Sequence, residues 1–294
     1  MQYISSFYRY LEYEKRYSKH TLVTYEVDLR QFSEFLENEN ISRWQDVTSK
    51  VIRRWMVSLL NDGITPVTIH RKISALKSFF RYLMREQILE SNPVNGVIIP
   101  KKPKRLPVFV KENEMDILLD TVPFSNDFEG IRDKFIITLL YGTGMRLSEM
   151  VNLKLSDIDL GQKVIKVLGK RNKERIIPVF KELEKEITKY LSARNQTFPD
   201  AGTNILILTS KGKPAYPKLI YRVVNKYLAL VSTINKKSPH VIRHSFATAL
   251  LNHGADLNAI KELLGHANLS ATEIYTHNSF EKLNNIYKQA HPRA

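Results

Sequence analysis

The feature that most constrains the fold is a proline-rich basic segment about one third of the way along the chain. Residues 91–110 read SNPVNGVIIPKKPKRLPVFV and contain Pro93, Pro100, Pro103 and Pro107. Proline has no backbone N–H and clashes with the preceding helical turn, so four prolines exclude a continuous helix here. The segment therefore separates two independently patterned regions.

The 294 residues are enough for two hydrophobic cores, and 43% of them are hydrophobic. We predict an N-terminal helical domain at residues 1–90, a basic linker at 91–110 and a second domain at 111–294. The linker also carries Lys101, Lys102, Lys104 and Arg105, which we expect to contact DNA. A solvated linker or a localisation-like basic run is the alternative interpretation.

The N-terminal region is predicted to consist of helices joined by short polar turns. The clearest helix spans Thr68 to Arg85, where the apolar residues follow the 3, 4 spacing of one helical face. These apolar residues are Ile69, Ile73, Leu76, Phe80 and Leu83. The opposite face carries the candidate DNA-binding residues Arg71, Lys77, Arg81 and Arg85. A merely solvated face is equally compatible with this pattern.

Charge is distributed unevenly within the first third of the chain. Residues 1–46 hold 6 Lys and Arg against 8 Asp and Glu, whereas residues 47–105 hold 12 against 3. This separation favours a helical module that binds phosphates, because each neutralised phosphate releases condensed counterions.

Composition indicates which class of partner the protein binds and which compartment it occupies. With 45 Lys and Arg against 30 Asp and Glu, the formal net charge is +15, which favours a polyanion such as nucleic acid. No apolar stretch reaches the roughly 18–20 residues needed to span a bilayer, and the N-terminus lacks a signal-peptide pattern. No cysteine is present, which excludes disulfides and thiolate metal sites. We therefore expect a cytoplasmic protein that binds DNA and no membrane.

The second region is mostly helical with one β-hairpin. Short β-branched runs at 164–168 and 176–179 flank the turn GKRNKER. The turn brings together the cations Lys170, Arg171, Lys173 and Arg175. Such a turn is usually solvated, but it could also enter a DNA groove or deliver a proton to a leaving oxygen.

Two further segments place cations at helix boundaries. In LLYGTGMRLSEMVNL, Arg146 follows Gly142 and Gly144, which would permit close backbone approach to a ligand, and Glu149 could orient its guanidinium. Alone, such an arginine is usually a surface residue or a helix-end salt bridge.

In SPHVIRHSFATALL, Ser238 and Pro239 are typical of a helix start. His240 and Arg243 would then share one face of the first turns, near an anion-friendly helix N-terminus. Taken alone, the pattern HxxR occurs often by chance and indicates little.

The last two segments are LLGHANLS and SATEIYTHNS. His266 follows Gly265 in a predicted loop, and a capping box of Ser270 and Glu273 would begin a short helix that carries Tyr275. Considered singly, His266 is an ordinary structural histidine, and Tyr275 is one of 14 tyrosines.

In this order, the segments resemble the tyrosine recombinases and integrases over essentially the whole chain. The stretch HVIRHSFATALLNHGADLNAIKELLGHANLSATEIYTH and the terminus HPRA are most similar to bacterial Xer recombinases. The resemblance implies a mainly α fold. It consists of a helical SAM-like core-binding domain and a mixed α/β catalytic domain with a small β-hairpin or sheet.

The resemblance also implies a role for each matching position. Tyr275 would attack the scissile phosphate and form a 3′-phosphotyrosyl link, while Arg146 and Arg243 would clamp the non-bridging oxygens. Lys170 would protonate the 5′-oxygen leaving group, although Lys173 lies in the same turn. His240 would act as acid or base near the nucleophile. The remaining position, His266, would donate to a phosphoryl oxygen. No metal ion or other cofactor is expected.

Partners follow from the resemblance as well. A double-stranded recombination site would be bound by a tetramer, which could include a paralogous Xer subunit and be activated by a DNA translocase. The C-terminal helix, with its apolar stripe Phe280, Leu283, Ile286 and Tyr287, would dock onto a neighbouring subunit; packing on its own domain is the alternative.

Two other functions stay open at this point. One is a mobile-element integrase with the same chemistry, disfavoured because no additional arm-binding domain precedes the first helical segment. The other is an architectural DNA-binding protein with vestigial catalytic residues, disfavoured because all six positions are intact.

Overall fold

The computed structural model describes residues 3–103, 107–169, 174–265, 287 and 289–293. The chain divides into two compact units, Met1–Leu106 and Pro107–Ala294. Across the described part of the chain, no helix combines the length and apolar character that crossing a bilayer requires.

The first unit is helical, and its helices begin where the sequence supplies capping side chains. Ser18, Thr48 and Thr65 each accept a hydrogen bond from a backbone N–H in the first turn of the helix that follows. The helices are α1 (Ile4–Arg9), which continues into a π-helical turn (Tyr10–Glu14), α2 (Lys19–Asn38), α3 (Ser49–Asn61) and α4 (Pro66–Arg85).

The core of this unit forms around α4, as its periodicity predicts. Its predicted apolar residues are all buried, because side chains spaced three and four residues apart lie on one helical face. Packed against them are aromatic side chains from other elements, including Phe7, Phe32, Trp44 and Trp55. One carboxylate, Asp28 of α2, is also buried, and it is neutralised by Arg71 and Lys72 of α4.

The second unit is also mainly helical and carries the small sheet. Its helices are α5 (Glu112–Asp120), α6 (Phe128–Thr143), α7 (Leu147–Val151), α8 (Lys181–Thr197), α9 (Pro217–Val231), α10 (Pro239–Asn252) and α11 (Leu257–Leu264). Its strands are β1 (Ile158–Asp159), β2 (Val164–Leu168) and β3 (Glu174–Pro178). Helix α6 is buried along nearly its whole length, so the other elements pack around it.

The predicted hairpin is present as β2 and β3, which pair antiparallel with Ile165 opposite Ile177. Strand β1 adds a third, short strand beside β2, in the order β1-β2-β3. The expected fold class, mainly α with a small antiparallel sheet in the second domain, is confirmed.

The described end of the chain packs on its own domain. Tyr287 is fully buried beside Phe180 and Phe246, and its hydroxyl donates to the carbonyl of Gly142. Burial lowers the pKa of His291 to about 4, so its ring is neutral at neutral pH. Docking on a neighbouring subunit stays a prediction.

Candidate active site

The first part of the site is the break between α6 and α7. Helix α6 is followed by Gly144, whose φ of 57° is the left-handed conformation that glycine adopts without strain. Arg146 then caps α7, and the Glu149 carboxylate accepts hydrogen bonds from both its backbone N–H (2.7 Å) and its Nη1 (2.8 Å). Glu149 therefore orients the Arg146 guanidinium, as the sequence predicts.

The glycines at this break allow close packing of neighbouring side chains. A Cβ on Gly144 would lie 2.4 Å from the Phe246 ring, and a Cβ on Gly142 would lie 2.9 Å from the Phe180 ring. Side chains of α10 and of the segment before α8 therefore occupy the side on which a Cβ would stand, and close approach of a ligand to these glycines stays a prediction.

Helix α10 supplies the second part of the site. It begins at Pro239 as predicted, but the side chain of Ser238 makes no capping hydrogen bond, and its buried Oγ has no partner among the described residues. His240 is exposed, whereas Arg243 is only 6% exposed. Buried in this way, Arg243 has a fixed position that its neighbours determine.

The end of α11 joins the parts together. Consecutive backbone carbonyls at residues 263–265 each accept a hydrogen bond from a different arginine. Arg175 Nε donates to Leu263 O (2.7 Å), Arg243 Nη2 to Leu264 O (2.7 Å) and Arg146 Nη2 to Gly265 O (2.8 Å). The last carbonyls of a helix have no intrahelical donor and carry the negative end of its dipole, so guanidinium groups are well suited to them.

Arg175 is the residue that sequence reasoning misjudged. We placed it in the cationic turn, either solvated or directed at DNA or a leaving oxygen, but it lies in β3 and is 4% exposed. Its Nη atoms donate to both carboxylate oxygens of Glu149, at 3.0 and 2.8 Å. Strand alternation carries the missed signal, since Arg175 lies two residues from Ile177 and therefore on the buried face.

The electrostatics of this cluster follow from burial and charge. Burial raises the pKa of the Glu149 carboxyl, but hydrogen bonds and charge from Arg175 and Arg146 outweigh it and leave that pKa below its ordinary value. Burial, together with the charges of Arg146 and Arg175, lowers the pKa of Arg243 to about 10. Glu149 is therefore ionised and Arg243 positively charged at neutral pH.

The pKa of His240 is lowered, whereas a neighbouring carboxylate would raise the pKa of a histidine. Partial burial and the positive charges of Arg243, Lys236 and Arg146 lower its pKa from the ordinary value. It is therefore neutral at neutral pH and can either accept or donate a proton.

Several predicted positions lie outside the described residues. They are the candidate catalytic residues Lys170, His266 and Tyr275 and the candidate DNA-binding residues Lys104, Arg105, Arg171 and Lys173. The described framework reaches both sides of the hairpin turn and ends at Gly265, immediately before His266.

The predicted cationic face of the first unit is not uniform. Arg71 pairs with the buried Asp28, and Arg85 pairs with Glu14 at 2.9 Å and lies over the Tyr10 ring. Arg81 is exposed, and its side chain forms no ion pair with another described residue. Of these cations, Arg81 retains the most freedom to bind an external anion.

The remaining predicted cations of this unit are also accessible. Lys77 is half-buried on α4, and its side chain has no ion-pair partner among the residues that the structure describes. In the linker, Lys101 and Lys102 are exposed.

The arrangement is suited to one type of chemistry. Arg146 and Arg175 bind one carboxylate, Glu149, and Arg243 binds the neighbouring carbonyl at the end of α11, so the cluster keeps a net positive charge. His240 adds a neutral acid–base group near Arg146 and Arg243. Guanidinium groups present planar donors that match phosphate oxygens and stay charged. Such an arrangement can stabilise an anionic phosphoryl group.

Family models match both units of the chain. The phage integrase family matches residues 108–282, and the phage integrase N-terminal SAM-like domain matches residues 4–87. The chain is a tyrosine-type site-specific DNA recombinase of the phage integrase family.

Curated relatives agree with this assignment. A protein of Staphylococcus epidermidis named tyrosine recombinase XerC is 42% identical over 97% of this chain and 95% of its own length. Proteins of the same name from Listeria innocua and Bacillus subtilis are 40% and 36% identical, each over 97% of its own length. The resemblance to Xer recombinases is confirmed.

Solved structures share the fold. A XerH site-specific recombinase bound to its difH substrate, in a pre-cleavage complex, is 25% identical, with a TM-score of 0.69 over 90% of this chain and 79% of that one. The Tn1549 transposon integrase in complex with circular intermediate DNA is 21% identical, with a TM-score of 0.69 over 94% of this chain and 97% of that one.

Proposed function

We propose that this recombinase cleaves and rejoins DNA through a covalent 3′-phosphotyrosyl intermediate formed by Tyr275. The tyrosine oxygen attacks the scissile phosphorus, the bond from phosphorus to the 5′-oxygen breaks, and that oxygen leaves as a hydroxyl. Attack of a 5′-hydroxyl from another strand reverses the step and releases Tyr275. The bond energy is conserved in the covalent link, which divides one exchange into two easier steps.

The observation that carries this proposal is the position of Arg146 and Arg243. Their guanidinium groups donate to adjacent carbonyls at the end of α11, so both are fixed at the point from which the segment with His266 and Tyr275 continues. Each keeps further N–H donors for the phosphate, since a guanidinium has five. Preorganised cations of this kind stabilise the charge that builds on a pentacoordinate phosphorane.

The proton transfers are assigned to three side chains. Lys170, in the turn between β2 and β3, delivers a proton to the 5′-oxygen as it leaves. The neutral His240 acts as acid or base near the nucleophile, and His266 donates to a phosphoryl oxygen.

We further propose that the protein acts in the cytoplasm on chromosome dimers at cell division. Support comes from relatives named XerC, which are 42% and 40% identical to this chain over 97% and 98% of its length. The active assembly would be a tetramer on its double-stranded site, with a paralogous subunit as a possible member and a DNA translocase as its activator.

The chemistry is tested with a nicked suicide duplex, whose short 5′-hydroxyl fragment diffuses away after cleavage and prevents religation. The duplex carries a site selected by binding from a random library. Wild-type protein is expected to form an adduct that survives denaturing electrophoresis. Tyr275→Phe is expected to bind the duplex without forming the adduct.

Tyr13→Phe is the matched control, because Tyr13 is a 72% exposed tyrosine of the other unit. It should form the adduct at the wild-type rate. Wild-type protein that binds its site and forms no adduct would refute the covalent mechanism. An adduct that persists in Tyr275→Phe would place the nucleophile elsewhere.

The cellular role is tested by placing the Tyr275→Phe allele in the source bacterium. Chromosome dimers arise from crossovers, so we expect cells with undivided chromosomes, and this defect should disappear when homologous recombination is also removed. Normal division, combined with loss of excision of a mobile element, would instead assign the protein to that element.

A further inference from the structure

Arg175 makes more contacts to the site than its position in a hairpin suggests. Its guanidinium uses Nη1 and Nη2 to bind both oxygens of Glu149, and its Nε binds the carbonyl of Leu263. It is 4% exposed and is the second residue of β3, directly after the turn that follows β2. One side chain therefore connects the hairpin, α7 and the end of α11.

The Glu149 carboxylate has to bind two arginines at once. Its two oxygens accept from Arg146 and from Arg175, at four distances between 2.7 and 3.0 Å. Without Arg175, the carboxylate would keep only Arg146 as a cationic partner and would be free to rotate toward it. The direction of the Arg146 guanidinium consequently depends on Arg175.

The same residue packs against Gly265, the residue that follows α11. A Cβ placed on Gly265 would lie 3.2 Å from Arg175 Nη1, so the guanidinium packs directly under the residue that precedes His266. The Leu263 carbonyl that it binds is two residues from Gly265.

We infer that Arg175 is a positioning residue of the cleavage reaction, acting through Glu149 to aim Arg146 at the scissile phosphate. The inference rests on the proposed function, because it requires that Arg146 stabilises the transition state of strand cleavage. Each of the three guanidinium nitrogens of Arg175 donates to a protein acceptor, and the side chain is 4% exposed, so we do not expect it to contact DNA. Its effect should therefore fall on the rate of cleavage and not on DNA affinity.

The experiment compares Arg175→Met and Arg175→Lys with wild type on the nicked suicide duplex at saturating DNA. We expect Arg175→Met to slow adduct formation about 10- to 100-fold, since a small misplacement of a catalytic group costs rates of this order. Affinity for the duplex should stay within about threefold. Arg175→Lys, which keeps the charge but cannot bind both carboxylate oxygens in parallel, should recover part of the rate.

Arg194→Met is the matched control for loss of a buried arginine. Arg194 is also 4% exposed in the same unit and donates to the carbonyls of Thr203 and Ile205, but it contacts neither Glu149 nor Arg146. It should lose stability without a comparable loss of cleavage rate in the folded fraction. Equal losses in Arg194→Met and Arg175→Met would overturn the inference, because they would indicate a general effect of removing a buried cation.

A double variant tests the route through Glu149. Glu149→Gln should slow cleavage by itself, and adding Arg175→Met should then slow it much less than in the wild-type background. Fully multiplicative losses would show that Arg175 acts independently of Glu149 and would overturn the inference. If Arg175→Met does not fold, Arg175→Lys carries the same comparison.

The wild-type reaction separates this inference from the proposed function. Absence of an adduct with wild-type protein would refute the covalent mechanism itself. A normal wild-type adduct combined with wild-type rates in both Arg175 variants would refute only the positioning role.

Discussion

The arginine side chains of this protein differ in whether they bind groups of the protein itself or are exposed to solvent. Arg146, Arg175 and Arg243 are held by the end of α11, and Arg71 neutralises the buried Asp28, whereas Arg81 is exposed. A buried charge has to be paired, because an unpaired buried charge destabilises the folded state by several kcal/mol. A count of cations therefore overestimates how many are available to DNA.

The charges around the single residue His240 predict how the rate of cleavage depends on pH. Because burial and nearby cations lower its pKa, the acidic limb of the rate profile should begin below pH 6.5. Lys236→Gln removes one of these charges, so the pKa of His240 should rise and the acidic limb should shift to higher pH. The measurement is the rate of adduct formation against pH at saturating DNA.

Lys211→Gln provides the control, since Lys211 is an exposed lysine that does not contribute to the lowered pKa of His240. It should leave the acidic limb where it is. A limb that moves equally in both variants would reflect a general charge effect, and His240 would then not be the titrating group.

At the level of elements, the close contact of α6 with α10 and α11 depends on Gly144. Alanine there would meet the Phe246 ring at 2.4 Å and the Leu264 side chain at 2.9 Å, in a left-handed conformation. We expect Gly144→Ala to lower the free energy of unfolding of the catalytic domain by about 2–4 kcal/mol, from strain and overpacking together. Denaturant unfolding monitored by circular dichroism measures this.

Gly254→Ala separates the two causes. Gly254 also has a positive φ, of 82°, but a Cβ there has nothing within 4 Å. It should cost only the strain, about 1 kcal/mol. If the two variants lose equal stability, the contact with Phe246 contributes nothing, and the packing explanation of Gly144 is incorrect.

For the whole molecule, the net charge of +15 predicts salt-dependent binding. A protein that neutralises 6–10 phosphates should lose about 10³- to 10⁵-fold in affinity between 50 and 200 mM salt. Arg81→Ala should reduce the slope of log affinity against log salt by about 1, whereas a cation that contacts no phosphate should not change it. Fluorescence anisotropy with a labelled duplex gives both slopes.

Arg43→Ala is a suitable comparison, since Arg43 is an exposed arginine of the same unit that is already paired with Asp46 at 2.9 Å. Its removal should leave the slope nearly unchanged. A flat response of the wild-type protein to salt would contradict the phosphate-binding account of the charge excess.

Local patterns predicted much of this fold. The 3, 4 spacing in α4 identified its buried face, and the β-branched runs identified β2 and β3. These predictions succeed because periodicity acts between residues close in sequence. The order of the chemistry-bearing motifs also indicated the recombinase family, which the comparisons confirm.

Long-range contacts decided the rest. Nothing in the turn GKRNKER shows that Arg175 reaches Glu149 or Leu263, which lie 26 and 88 residues away. Nor does the sequence reveal that three arginines bind three consecutive carbonyls at the end of α11. Such contacts depend on how helices and strands pack, and packing joins residues whose separation along the chain carries no signal. The sequence by itself determined which residues are candidates for the chemistry; tertiary structure decided which of the described ones meet and which arginine holds another in place.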